Sequence, residues 1–262
     1  MRSALLTLAV LFSLVLPSVA FDVQKQKIVV GVSPFPHKDI MLIVKNLLEK
    51  EGYTLEIKEF TDYVQPNLAL AGKNLDANFF QHIPYLENMN KEKHLNLIWV
   101  AKIHIEPLGM YSKKIKQLDE IKDGDTLAVP NDPTNEARAL HLLEANKLIA
   151  LKAGELVTAR DITGNPKKLK IMELEAAQLP HTLQDVTAAV INTNFAAEAG
   201  LMPSRDAIVI EGKDSPYANV LVVRADAANT PAIQALAKAS QSPEVKAYIE
   251  KELLPKGIVP AF

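Results

Sequence analysis

The sequence predicts an α/β protein of two lobes around a cleft, each lobe a largely parallel sheet flanked by helices. Three observations predict it. Short β-branched runs alternate with stretches of helical periodicity over residues 27–93, and the alternation restarts at residue 126. Such alternation is the pattern of strands joined by crossover helices. The two halves meet at a charged stretch, 113–125, with no low-complexity linker. The chain also opens with an export signal, and two similar halves in an exported protein suggest lobes joined by extended strands.

The elements follow in order. Arg2 precedes an apolar run from Ala4 to Leu16, and Pro17-Ser18-Val19-Ala20 supplies small residues at the positions a signal peptidase reads. About 20 apolar residues are needed to span a bilayer, and this run is shorter, so 1–20 is expected to be a signal peptide cleaved after Ala20. Lys27–Val32 is a short β-branched run that ends in Ser33-Pro34-Phe35-Pro36, a strand entering a loop. Ile40, Met41, Val44, Leu47 and Leu48 fall at helical spacing, with Gly52 just beyond. Leu55–Phe60 alternates apolar and polar, a strand. A short helix over 66–71, a strand at 77–81, a helix over 84–93 and a β-rich stretch over 97–112 complete the first half. Thr126–Pro130 then reads as a strand and 134–148 as a helix, with further strands at 170–173, 188–192, 207–210 and 220–224. Two helices, 231–240 and 243–254, close the chain and are expected to return to the first lobe. The boundaries expected are 21–112 plus 220–262 for the first lobe and 113–219 for the second, with hinges near Ser112 and Asn219.

Composition excludes several kinds of chemistry. With no cysteine there is no disulfide, zinc-thiolate site or thiol nucleophile. Lys and Arg total 29 against 31 Asp and Glu, a formal charge of −2, so no basic face for nucleic acid is expected. No GxSxG, P-loop or GxGxxG occurs. His104 and Glu106 share a strand face as possible metal ligands, but the histidines show no HxxxH or HExxH spacing. Neither metal nor cofactor is expected, and Glu173 and Glu175 read as a solvated edge.

Three constellations can receive a small molecule. Asn131-Asp132-Pro133-Thr134-Asn135-Glu136-Ala137-Arg138 lies where a strand hands over to a helix. Asn135 and Arg138, three apart, share a helix face, and the Arg138 fork suits a carboxylate. Plain helix capping with a solvated arginine fits the same residues. In Asn78-Phe79-Phe80-Gln81-His82-Ile83-Pro84-Tyr85 the strand directs Phe80 and His82 the same way. Tyr85 follows after a turn, and Tyr63 lies in an earlier loop. Such aromatics suit an apolar or sulfur-containing side chain, or simply a core. Asn192, Asn194 and Asn219 offer donors and acceptors for a zwitterion, although asparagine singly more often ends strands.

The sequence resembles the NlpA-type methionine-binding proteins, the substrate-binding components of methionine ABC importers. The resemblance is carried by IVVGVSPFPHKDIM, LDANFFQHIPYLE, IHIEPLGMYSKK, VPNDPTNEARALHLLE and INTNFAAEAGL, and it spans roughly Lys27 to Pro260. It implies the two-lobe periplasmic-binding-protein fold with ligand in the inter-lobe cleft, closing by a hinge motion. It also implies that Tyr63, Phe80, His82 and Tyr85 hold a thioether side chain. Arg138 would meet the ligand carboxylate with Asn135 beside it, Asn194 and Asn219 would complete the polar contacts, and Asn131 would remain a cap. Its implied partners are methionine and an inner-membrane permease with its ATPase; a monomer is expected, and no catalysis. D-methionine, a methionine dipeptide or another small amino acid is an alternative ligand; an enzyme on the same scaffold, with His82 as base, is a remote one. The sequence departs from the family at one point. Relatives carry a lipidated cysteine after the signal, whereas Phe21 stands there in a chain without cysteine. A soluble periplasmic protein is therefore expected.

Overall fold

The computed structural model describes residues 26–212 and 215–262. The expected signal segment, 1–20, lies outside the described residues.

The first lobe begins with β1 (Gln26–Val32), a single turn over Pro34–Lys38, α1 (Asp39–Lys50) and β2 (Tyr53–Glu59). Ile40, Met41, Val44 and Leu48 of α1 are buried, as the helical spacing requires. Gly52, at φ +86, takes the left-handed conformation just past the helix end. Next come α2 (Gln65–Ala71), β3 (Ala77–His82), α3 (Ile83–Lys93) and β4 (Leu97–Ile105). The chain then crosses to β5 (Gly109–Tyr111), β6 (Thr126–Pro130) and α4 (Pro133–Ala145). A small hairpin of β7 (Ala150–Leu151) and β8 (Ile162–Gly164) is followed by β9 (Lys170–Leu174), β10 (Ala188–Ile191) and α5 (Thr193–Glu198). After α6 (Pro203–Asp206) and β11 (Val209–Ile210), β12 (Ala218–Arg224) re-enters the first lobe. The chain ends with α7 (Pro231–Ser240), α8 (Pro243–Tyr248) and β13 (Val259–Pro260).

The first sheet has the order β13-β4-β12-β3-β1-β2, and the second β11-β5-β10-β6-β9. In the first, β1 pairs in parallel with β2 and β3, while β12 runs antiparallel to β3 and β4, and β13 antiparallel to β4. In the second, β10-β6-β9 is parallel and β5 runs against both β10 and β11. Most strands of each sheet thus share one direction, and those running against it are the returning strands β12 and β13 and the entry strand β5.

Strand β12 is buried along nearly its whole length because helices cover both faces of its sheet. Leu221 and Val223 pack with α1, α7 and α8, while Val220 and Val222 face α2 and α3. The same alternation sorts β6 and β10: Leu127, Val129 and Val190 join Leu140 and Leu143 of α4. Ala128, Ala189 and Ile191 face Leu179, Leu183 and Phe195 on the other side. Both C-terminal helices, α7 and α8, pack in one core cluster with α1 and β12.

One expected boundary moves. β5 hydrogen-bonds in the second sheet, so the chain leaves the first sheet after Ile105 and enters the second at Gly109, ahead of Ser112. Pro107 forces the break, since it has no N–H to continue the ladder. The return crossing lies between Ile210 and Ala218, close to Asn219.

Candidate ligand-binding site

All eight residues singled out from the sequence line one cavity between the lobes: Tyr63, Phe80, His82, Tyr85, Asn135, Arg138, Asn194 and Asn219. The space among these side chains that is free of atoms, counting the part open to solvent, is about 370 Å³.

Strand β3 places the aromatic wall. Its pairing with β12 steps from Gln81↔Val220 to Phe79↔Leu221, so Phe80 is the extra residue of a β-bulge. Bulges re-aim side chains next to binding sites. Behind it, Asn67, Asn78 and Gln81 form a closed buried network, with Gln81 Nε2 donating to Asn67 Oδ1 at 2.7 Å and Asn78 Nδ2 to the same oxygen at 2.8 Å. A fully satisfied network of this kind fixes its backbone. Tyr63 lies 6.0 Å from Phe80, 5.8 Å from Tyr85 and 4.9 Å from Phe195, centroid to centroid. Phe195, from α5, is an aromatic neighbour that the sequence reading did not include.

His82 is locked in one tautomer. Its Nδ1 accepts from the Tyr85 backbone N–H at 3.1 Å, so the proton sits on Nε2, which faces Asn135 Oδ1 at 3.1 Å. Burial, reinforced by the nearby Arg138 charge, lowers its pKa to about 3, and the ring is neutral at physiological pH.

Helix α4 supplies the polar wall. Asp132 is its N-cap, accepting from the Asn135 N–H at 3.0 Å. Asn135 is fully committed within the protein: its Nδ2 donates to both Asp132 oxygens, at 3.1 and 3.0 Å, and its Oδ1 also receives Asn192 Nδ2 at 2.8 Å. Asn135 therefore positions His82 and Asn192. Arg138 is equally supported. Its Nε donates to Glu211 Oε1 at 2.9 Å, and Nη2 bonds both Glu211 Oε2 and the Glu106 carbonyl. The guanidinium stacks over Tyr217 at 4.1 Å. Among the described residues Nη1 has no protein partner.

Two polar atoms in the lining are buried without a hydrogen bond among the described residues: Asn192 Oδ1 and Asn194 Nδ2. Such atoms are costly unless something completes them. Asn192, grouped with Asn194 and Asn219 in the sequence, falls outside the family-matched set but lines the cavity; its tether to Asn135 is a tertiary contact that no local pattern signals. The Asn194 Oδ1 accepts from the Tyr63 hydroxyl at 2.6 Å, a bond from lobe to lobe. On the first-lobe side, His37 Nε2 meets Asn219 Oδ1 at 3.0 Å, leaving the amide nitrogen of Asn219 for the cavity.

His104 and Glu106 are joined by His37, and the three form a buried cluster whose nitrogen and oxygen atoms lie within 4.8 Å of one another. Elsewhere, Glu173 faces Glu136 of α4 rather than forming a pair with Glu175. Burial and the Glu173 carboxyl raise Glu136 to a pKa of about 7.

Two α/β lobes crossed twice by the chain, with an aromatic and polar cavity closed between them, define a solute-binding protein of the periplasmic type. The chain matches the NlpA lipoprotein family over residues 28–262, and it belongs to that family. It is 48% identical over 238 residues to outer membrane lipoprotein 3 of Mannheimia haemolytica, covering 90% of each chain. It is 50% identical over 201 residues to the D-methionine-binding lipoprotein MetQ of Salmonella typhimurium, covering 75% of this chain and 74% of that one. A solved structure of a nutrient-binding protein from Burkholderia cenocepacia bound to methionine superposes with a TM-score of 0.87 at 48% identity, covering 90% of this chain and 100% of that one.

Proposed function

We propose that this chain is the substrate-binding component of an ABC importer, capturing methionine between its lobes and delivering it to a membrane permease with its ATPase. The observation that carries this reading is the pairing, in one cavity, of an aromatic wall with a pre-oriented arginine. Tyr63, Phe80 and Tyr85 take the thioether, which packs favourably on rings. The free Nη1 of Arg138 and the amide nitrogens of Asn194 and Asn219 take the carboxylate. Asn192 Oδ1 accepts a hydrogen bond from the ammonium. Asn135 and His82 hold this array in place. The relatives named as methionine-binding, and the neighbour bound to methionine, support the same ligand.

The lobes close about the connections between the two sheets, one of them at 106–108. The protein acts as a monomer, which leaves both lobes free to meet the permease, and it performs no catalysis. It works in the periplasm without an acyl anchor, because the sequence has no cysteine to carry one. Among the described residues no helix is long and apolar enough to cross a membrane.

Calorimetry of unfolded and refolded protein tests the reading, with L-methionine expected to bind at a Kd on the order of micromolar or tighter. A flat titration with every form of methionine would refute it. D-methionine is the second reading, favoured by the similarity to the D-methionine-binding lipoprotein of Salmonella. Parallel titrations of the two enantiomers decide between them.

A further inference from the structure

The cavity lining contains one guanidinium, Arg138, and one carboxylate, Glu106. Arg138 already shares its charge with Glu211, which grips Nε and Nη2. A bound zwitterion brings a positive end as well, and that end needs a counter-charge of its own. Glu106 belongs to the crossing segment just after β4 and is 7% exposed.

Two imidazole nitrogens face its carboxylate. His104 Nε2 lies 2.7 Å from Oε1, and His37 Nε2 lies 3.4 Å from the same oxygen. Both imidazoles are neutral, because burial lowers His37 to about 4 and His104 to about 3. Each carries its proton on Nε2, since that atom faces only acceptors: Glu106 for His104, and Glu106 with Asn219 Oδ1 for His37. The histidines thus donate hydrogen bonds without cancelling the negative charge. Burial raises the Glu106 carboxyl, and the neighbouring His37 and Arg138 act against that rise.

We propose that Glu106, held by His37 and His104, is the anionic receptor for the ligand's α-ammonium group and restricts the site to α-amino acids over their des-amino analogues. This rests on the ligand reading above and deepens it. The site then matches a zwitterion end for end. Arg138, Asn194 and Asn219 receive the carboxylate, and Glu106 with Asn192 Oδ1 receives the ammonium. The two histidines are positioning residues, and their place in the fold gives the SPFPH and HIEP segments a shared purpose.

The test is a calorimetric panel on ligand-free refolded protein: L-methionine, methioninamide and the des-amino analogue with the same thioether chain. Wild type is expected to bind methionine about 100-fold or more above the des-amino compound. Glu106→Gln is expected to lose about 100-fold for methionine and little for the des-amino compound, so that the preference collapses. A purely structural role for Glu106 would weaken both ligands together, and that result overturns the proposal. If Glu106→Gln does not fold, wild type alone decides, because equal binding of methionine and its des-amino analogue overturns the proposal without disturbing the methionine reading. Wild type that binds no amino acid overturns both. One equivalent of tightly held zinc released by Glu106→Gln would also overturn it, since the carboxylate would then be a metal ligand.

Discussion

Arg138 shows how a single residue is prepared for its ligand. Its planar group is held at one edge by Glu211, at Nη2 by the Glu106 carbonyl and on its face by Tyr217. Little side-chain entropy remains to be lost on binding, which is the advantage of a preorganised fork. Arg138→Ala is expected to cost about 2–5 kcal/mol of methionine affinity, because the ligand carboxylate and Glu211 are both left unpaired. Calorimetry measures it, and wild-type affinity would remove Arg138 from the site. Arg138→Lys should recover only part of the loss, since lysine cannot serve Glu211 and the ligand together. Arg138 was legible as a carboxylate fork sharing a helix face with Asn135, and the family motif rather than the local pattern favoured it over a solvated side chain. Glu211 was not, since it lies 73 residues away and meets Arg138 only through the fold.

At the scale of elements, α4 carries the polar wall because its N-terminus is tied down. Asp132 caps the helix and also accepts from the Asn135 side chain and the Thr134 hydroxyl. Asp132→Ala is expected to destabilise the protein by about 1 kcal/mol or somewhat more. It should also weaken ligand binding, because Asn135 would no longer hold Asn192. A thermal melt and a titration on the same sample check both halves. The other side of α4 faces β9 through Glu136 and Glu173. The folded state raises Glu136 from 4.5 to about 7, so the native protein binds that proton more tightly than the unfolded chain does. This contribution is greatest below pH 4.5 and is lost as pH rises to about 7. Glu136→Gln should therefore raise the Tm more at pH 8 than at pH 4. A Tm gain independent of pH would contradict the assignment.

Over the whole molecule, hydrogen bonds between the lobes bias the closed form. Tyr63 reaches Asn194, and His82 reaches Asn135. Tyr63→Phe removes the first while keeping the ring against Phe80 and Tyr85. It is expected to cost about 0.5–1.5 kcal/mol of affinity, with a faster off-rate seen by stopped flow. Unchanged kinetics would place closure elsewhere. Three buried histidines govern acid stability. His37, His82 and His104 fall from 6.5 to about 4, 3 and 3 on folding, so the unfolded chain binds protons first. The stability they support is complete above pH 6.5 and is lost as pH falls toward 4. Glu106 and Asp132, both raised by burial, oppose this at the acid end. The Tm of ligand-free protein should fall as pH is lowered from about 6.5 to 4, and a rising Tm would contradict the neutral histidines.

The sequence by itself determined the local events: the strand-helix alternation, the α1 face of Ile40, Met41, Val44 and Leu48, the cap before α4, and the aromatic strand with its histidine. Each rests on period or on neighbours within a few residues, which one chain segment displays alone. It also supplied, through the family pattern, eight residues that the fold brings to one cavity. Only the tertiary structure decided that β5 belongs to the second sheet, since strand length does not reveal a pairing partner. Only it joined His37 to His104 and Glu106, gave Arg138 its Glu211, and left Asn192 Oδ1 and Asn194 Nδ2 without partners. Such contacts span tens to more than a hundred residues of sequence, and their chemistry comes from burial and direction. Neither quantity exists until both sheets have formed and the chain has crossed between them twice.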